Sequence, residues 1–185
     1  MTTTQSSFRL NRLLGGAIAV LAIVLIVGGA AAYLADRRDA ANVTRLFGGP
    51  AGLKPILAPD KVEAFRVARR TRQGDEPPSA FGGAEIVSGP VRVDDNTARD
   101  LAEILKSPGT YSWDSAKGCI FDPGVAFRFG GKSSIIEVVF CFSCNELQIY
   151  QGGQRVGAED FDKARGRLAS IMKRVFPDDG EIEKL

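Results

Sequence analysis

Leu13 to Ala35, LLGGAIAVLAIVLIVGGAAAYLA, holds no charged residue and almost nothing polar. As a helix this run would measure roughly 35 Å, at about 1.5 Å per residue. A hydrocarbon core is about 30 Å thick, so a tilted span fits. A signal-peptide core runs only about 7–15 residues, which makes this one long. Ala30-Ala31-Ala32 does offer a small-x-small cleavage site. The prediction is an uncleaved anchor in the lipid bilayer, with cleavage and secretion as the alternative. Arg9, Arg12 and the terminal amine precede the run, and Arg37 and Arg38 follow it. The terminal amine tips a nearly even count of positive charges. Residues 1–12 are then cytoplasmic, 13–35 cross the membrane, and the rest faces the periplasmic side.

Of the 24 basic residues only Arg9 and Arg12 precede the run, and all 22 acidic residues follow it. The part after Ala35 is therefore neutral, which argues against a nucleic-acid partner, where a basic face is expected. Its size, about 125 to 150 residues, suffices for one domain with a real core. The chain has no histidine. Ser-His-Asp and Cys-His arrangements are excluded, as is every histidine-ligated metal centre.

Residues 36–60 read as the end of the anchor helix followed by a Gly/Pro linker, GGPAGLKPILAPD from Gly48 to Asp60. The domain is expected over 61–176. Lys61 to Arg70 alternates as a strand, Thr71 to Ser79 as a polar loop, and Glu85 to Val93 as a second strand. Pro90 cannot donate to a ladder and marks an edge or a bulge. Asp94, Asp95 and Asn96 cap a helix whose Ala98, Leu101, Ile104 and Leu105 share a face. Tyr111 and Trp113 are expected to pack beneath the domain. Val125 to Phe129, Ser134 to Phe142 and Leu147 to Gln151 follow as strands. The second of these is apolar on both faces and is therefore predicted to be central. Gly152-Gly153 is a hairpin signal. Glu159 to Phe176 closes the domain as a helix, and residues 177–185 form a polar tail. The fold class is α+β: an antiparallel sheet of about five strands, in chain order β-β-α-β-β-β-α, with two packed helices.

Three cysteines carry the candidate chemistry. Cys141 and Cys144 form a CxxC at a strand end, and the hairpin brings Cys119 towards them. Three readings follow. The first is a disulfide from Cys119 to one CxxC cysteine, or buried thiols, in keeping with an oxidising compartment. The second is a Cys₃ metal site, with zinc as the candidate and Asp122, Asn145 or Glu146 as fourth ligand. The third is a redox pair at Cys141 and Cys144, which lacks the activating helix N-terminus of thioredoxin-like pairs. Gly131-Lys132-Ser133 sits between strands and lacks the glycine of a phosphate loop, so it reads as a turn. Asp114, Asp122 and Glu137 show no spacing of a catalytic pair.

The layout of Lys117 to Phe129, KGCIFDPGVAFRF, followed by Val139 to Cys144, VFCFSC, resembles an uncharacterised group of small bacterial proteins of planctomycete-type genomes. They share a Cys-x-x-x-Pro…strand…Cys-x-x-Cys layout, often behind a signal or anchor. The resemblance covers roughly the second half of the chain. It implies no activity, and it implies that the three cysteines belong to one local unit. The expectation is a membrane-anchored extracytoplasmic domain with a binding or structural role and no enzyme activity, its rival being a thiol-redox or metal-binding protein.

Overall fold

The structure, a computed structural model, describes residues 25–30, 33–35, 37–70, 81–113, 115, 117–131 and 134–185. The predicted anchor lies largely outside them, as do residues 1–12, the loop Thr71 to Ser79, Asp114, Lys132 and Ser133. Among the described residues no helix is long and apolar enough to cross a membrane. The chain divides into two units, Met1–Asp39 and Ala40–Leu185.

The second unit is an α+β fold. Its six strands are β1 (Lys61–Ala68), β2 (Glu85–Arg92), β3 (Val125–Gly130), β4 (Ile135–Cys141), β5 (Glu146–Gln151) and β6 (Gln154–Asp160). They lie in the order β2-β1-β3-β4-β5-β6, every neighbouring pair antiparallel. Among the described residues of this unit, helical residues 40–46 come first, followed by α1 (Pro50–Leu57), α2 (Asp95–Lys106) and α3 (Arg165–Val175).

One face of the sheet carries the main core. Val62 and Ala64 of β1, Val125, Phe127 and Phe129 of β3, Ile136, Val138 and Phe140 of β4, and Leu147 and Ile149 of β5 are buried against Leu101 and Leu105 of α2 and Leu168, Ile171 and Met172 of α3. Period-2 alternation in each strand puts these residues on one side. Helix α2 starts where Asp94 accepts the N–H groups of Asn96 and Thr97, each at 3.0 Å. These are two of the donors a helix start leaves unpaired. Tyr111 is fully buried, its hydroxyl donating to the Leu105 carbonyl, and Trp113 stacks beside it.

The opposite face has a smaller cluster of Phe65, Val67, Phe81, Ala126 and Val139. It also carries charge. Arg128 donates to Glu137 at 2.9 Å, its guanidinium over the rings of Phe65 and Phe81. Glu137 also accepts the Phe81 N–H at 2.8 Å. A buried carboxylate so satisfied is structural. Gly82 lets Phe81 settle there: its φ is +63°, and a Cβ would stand 2.2 Å from the Tyr150 ring.

Five expectations change. The linker over Gly48 to Asp60 contains α1, with Pro50 in its first turn and Pro55 and Ile56 buried. Proline fits a first helical turn, where its missing N–H would be unpaired in any case. The unit also begins earlier than Lys61, because Val43, Leu46 and Phe47 enter the core. Gly157 lets residue 46 approach the sheet, since a Cβ there would meet the Leu46 carbonyl at 2.0 Å. There are six strands rather than about five, because Gln154–Asp160 pairs with β5. The closing helix accordingly starts at Arg165 rather than Glu159. Finally, the tail is docked: Ile182 is buried and Leu185 packs on the core.

Candidate functional site

The cysteines meet where β3 begins and β4 ends. Val125 pairs with Phe140, and the Gly124 N–H donates to the Phe140 carbonyl at 3.0 Å. Antiparallel pairing therefore carries the chain before β3 past the end of β4. Cys119 and Cys144 are joined as a disulfide, with Cα atoms 5.9 Å apart. Cys141 is the free thiol. The bonded pair is asymmetric, since Cys119 is exposed and Cys144 is buried.

Cys141 is wholly buried beneath the same loop. The Asp122 N–H donates to its sulfur at 3.3 Å. Ser143 Oγ lies near both CxxC sulfurs, 3.1 Å from Cys141 Sγ and 4.0 Å from Cys144 Sγ. Cys144 Sγ lies 3.3 Å from the Ile120 carbonyl oxygen. Residues 120 and 122 thus each touch one CxxC sulfur.

A polar clamp holds the turn after β4. Lys117 donates to the Cys144 carbonyl at 2.9 Å and to Asp162 at 2.5 Å, and lies 3.5 Å from Asp160. Asn145 donates to Asp162 at 2.8 Å. Arg165 donates to the Phe142 carbonyl at 2.6 Å and also to Asn145 Oδ1, with its guanidinium over the Phe142 ring. Asn145 adopts φ 54°, a left-handed conformation that asparagine tolerates. The Lys117 and Asn145 hydrogen bonds hold the Asp162 carboxyl below the usual carboxylate range. Partial desolvation pulls Lys117 down, but Asp162 and Asp160 outweigh it and its ammonium is held above the usual lysine range.

Beside the disulfide loop lies a cleft of about 280 Å³, lined by Arg66, Asp122, Pro123, Phe142, Ser143 and Glu181 among others. Arg66 is already engaged: it donates to Asp179 and Glu181 at 2.6 Å each and to the Gly124 carbonyl. It thereby ties the C-terminal residues to the sheet. Burial raises the Asp179 carboxyl, but the Ile182 N–H and the Arg66 guanidinium outweigh it and leave the group lowered.

Of the expected site residues, Cys119, Cys141 and Cys144 come together, and Asp122 joins them through its backbone. The residue is otherwise exposed and lines the cleft. Glu146 lies opposite Cys141 in the β4–β5 register and accepts from Gln148 at 3.0 Å. Among the described residues no group of three or more cysteines and carboxylates stands together to hold a metal ion. Cys119 and Cys144 are committed to each other as drawn, so a zinc site on three thiolates would need that bond reduced first. Sequence reasoning missed Lys117, Asp160, Asp162 and Arg165. The acidic run Glu159-Asp160-Phe161-Asp162 was available as a signal but reads equally well as the start of a helix.

No protein-family model, curated protein or solved structure matches this chain.

Proposed function

We propose that this chain holds an α+β domain on the outer side of a membrane through Leu13 to Ala35, and that the domain binds or scaffolds rather than catalyses. The observation that carries the reading is the Cys119–Cys144 disulfide. Such bonds persist in oxidising compartments and are rare where thiol reductants prevail. Helical residues Leu25, Ile26, Val27, Tyr33 and Leu34 are each more than half exposed, a surface suited to lipid rather than water. Two carboxylates near the cysteines are engaged in scaffolding: Lys117 and Asn145 hold Asp162, and Arg128 holds Glu137. The cleft beside the disulfide loop is where a ligand is to be sought.

The test is protease treatment of intact and lysed cells, with thiols blocked by alkylation at harvest. The reading expects the full-length chain in the membrane fraction, its domain cut from outside in intact cells, and Cys119 bonded to Cys144. A domain protected in intact cells, with Cys119 and Cys144 alkylated, overturns it. A soluble chain lacking its N-terminus selects cleavage and secretion. A second reading, thiol redox, draws on the Cys141 thiol beside the bonded pair.

A further inference from the structure

The geometry points to a disulfide-exchange site, in which the buried Cys141 thiol takes over the bond to Cys144 and releases Cys119 as a surface thiol. The inference rests on the Cys119–Cys144 bond of the reading above and adds a chemical step to it. Exchange requires a thiolate near a disulfide sulfur and access for attack. Ser143 Oγ lies 3.1 Å from Cys141 Sγ and 4.0 Å from Cys144 Sγ, so both CxxC sulfurs share one hydroxyl as neighbour and lie in one local cluster. The Asp122 N–H and the Ser143 hydroxyl are donors of the kind a thiolate accepts.

The step balances without an oxidant. Cys141 gives its proton to solvent, and its sulfur attacks Cys144 Sγ. The Cys141–Cys144 bond forms as the Cys119–Cys144 bond breaks, and Cys119 leaves as a thiolate that takes up a proton. The two ends differ in what holds them. Cys144 is held by its carbonyl through Lys117, in a turn that Arg165 also grips. Cys119 sits in an exposed segment, with Ile120 beside it 73 % exposed. Exchange therefore keeps the turn in place and removes the covalent tie at Cys119, while Lys117 still grips the turn. The product carries one accessible thiol, able to attack a disulfide of another protein or a small-molecule disulfide, forming a mixed disulfide as the partner's second sulfur leaves as a thiol.

The full chain is incubated in mildly alkaline buffer with N-ethylmaleimide as the trap, digested without reduction, and mapped by mass spectrometry. The inference expects a Cys141–Cys144 peptide, with Cys119 labelled several-fold more than Cys144. In Cys141→Ser that selective labelling is lost. Cys119 and Cys144 labelled in equal amounts in the wild-type chain, with no Cys141–Cys144 peptide, overturn the exchange, and this comparison decides even where the variant does not fold. The untreated map is read first for the Cys119–Cys144 bond: three free cysteines there overturn the proposed function as well. Presence of the bond without exchange overturns this inference alone.

Discussion

The two faces of the sheet hold the protein together in different ways. The helix-covered face is almost purely apolar, and its aromatic rings interlock. Phe140 meets Phe127 and Phe161 edge-on and stacks near Phe142. The other face is thinner and mixes Phe65 and Phe81 with the Arg128–Glu137 pair, and its strand β4 ends in the buried thiol of Cys141. Dispersion and water exclusion stabilise the first face without regard to direction. The second depends on particular partners, since a buried carboxylate or donor is tolerated only when satisfied. Reactive groups collect at the second face because fixed partners hold a polar atom where oil-like packing does not.

The sharpest way to break the first face is Phe140→Ala. The side chain is fully buried among three rings, those of Phe127, Phe142 and Phe161, in the core that α3 also enters. Loss should fall towards the upper end of about 3–5 kcal/mol, because packed neighbours collapse poorly into the space. Urea unfolding midpoints measure it. A loss below that range would mean that the apolar face is less tightly packed than drawn.

Reduction of the disulfide comes next. The bond closes a separation of 25 residues, for which loop-closure entropy predicts about 3 to 4 kcal/mol. The comparison is of midpoints with and without reductant, in Cys141→Ala so that only one pairing exists. No shift would show that the loop is held by Lys117 and the β3 pairing alone.

Third is Glu137→Ala on the polar face. It removes the acceptor of the Phe81 N–H and the partner of Arg128. Arg128 is 29 % exposed and can turn to water, so the loss is moderated to about 1–3 kcal/mol. Glu137→Gln keeps an acceptor for Phe81 and should recover part of it. Equal losses in both variants would assign the whole effect to charge.

The apolar face was the more legible of the two in the sequence. β4 reads as central because both its faces are apolar, and alternation named Ile136, Val138 and Phe140 together. β6 escaped that logic. It is an edge strand of Gln154, Arg155 and mostly half-exposed neighbours, with no apolar stripe to betray it. Its only local signal was the Gly152-Gly153 turn, where both residues take positive φ. Helix α1 was hidden by its prolines and glycines, which read as breakers unless the buried side of Ile56 is known. The gathering of the cysteines followed from the hairpin. Which CxxC sulfur bonds to Cys119 did not, because that depends on which of them faces the exposed loop. The Lys117 clamp joins residues 45 positions apart and has no local pattern at all.

That clamp gives the smallest predicted effect, and it tests whether charge or hydrogen bonding holds the turn. The Asp162 carboxyl is lowered in the folded chain, chiefly by Lys117 and then by Asn145. Its contribution is therefore complete above the unfolded value of about 3.9 and is lost as pH falls through the lower folded value. Lys117 is raised, so its contribution is complete below about 10.4 and is lost as pH rises through the folded value. Both operate at neutral pH. Both groups are partly exposed, Lys117 at 28 % and Asp162 at 40 %, so Asp162→Asn should cost less than about 1 kcal/mol there. The gap between variant and wild type, read from urea midpoints, should close in acid, where the wild-type carboxyl is also neutral. A gap that persists in acid would assign the turn to hydrogen bonds that survive protonation, Asn145 Nδ2 to Asp162 first among them, and would remove charge from the account of this corner.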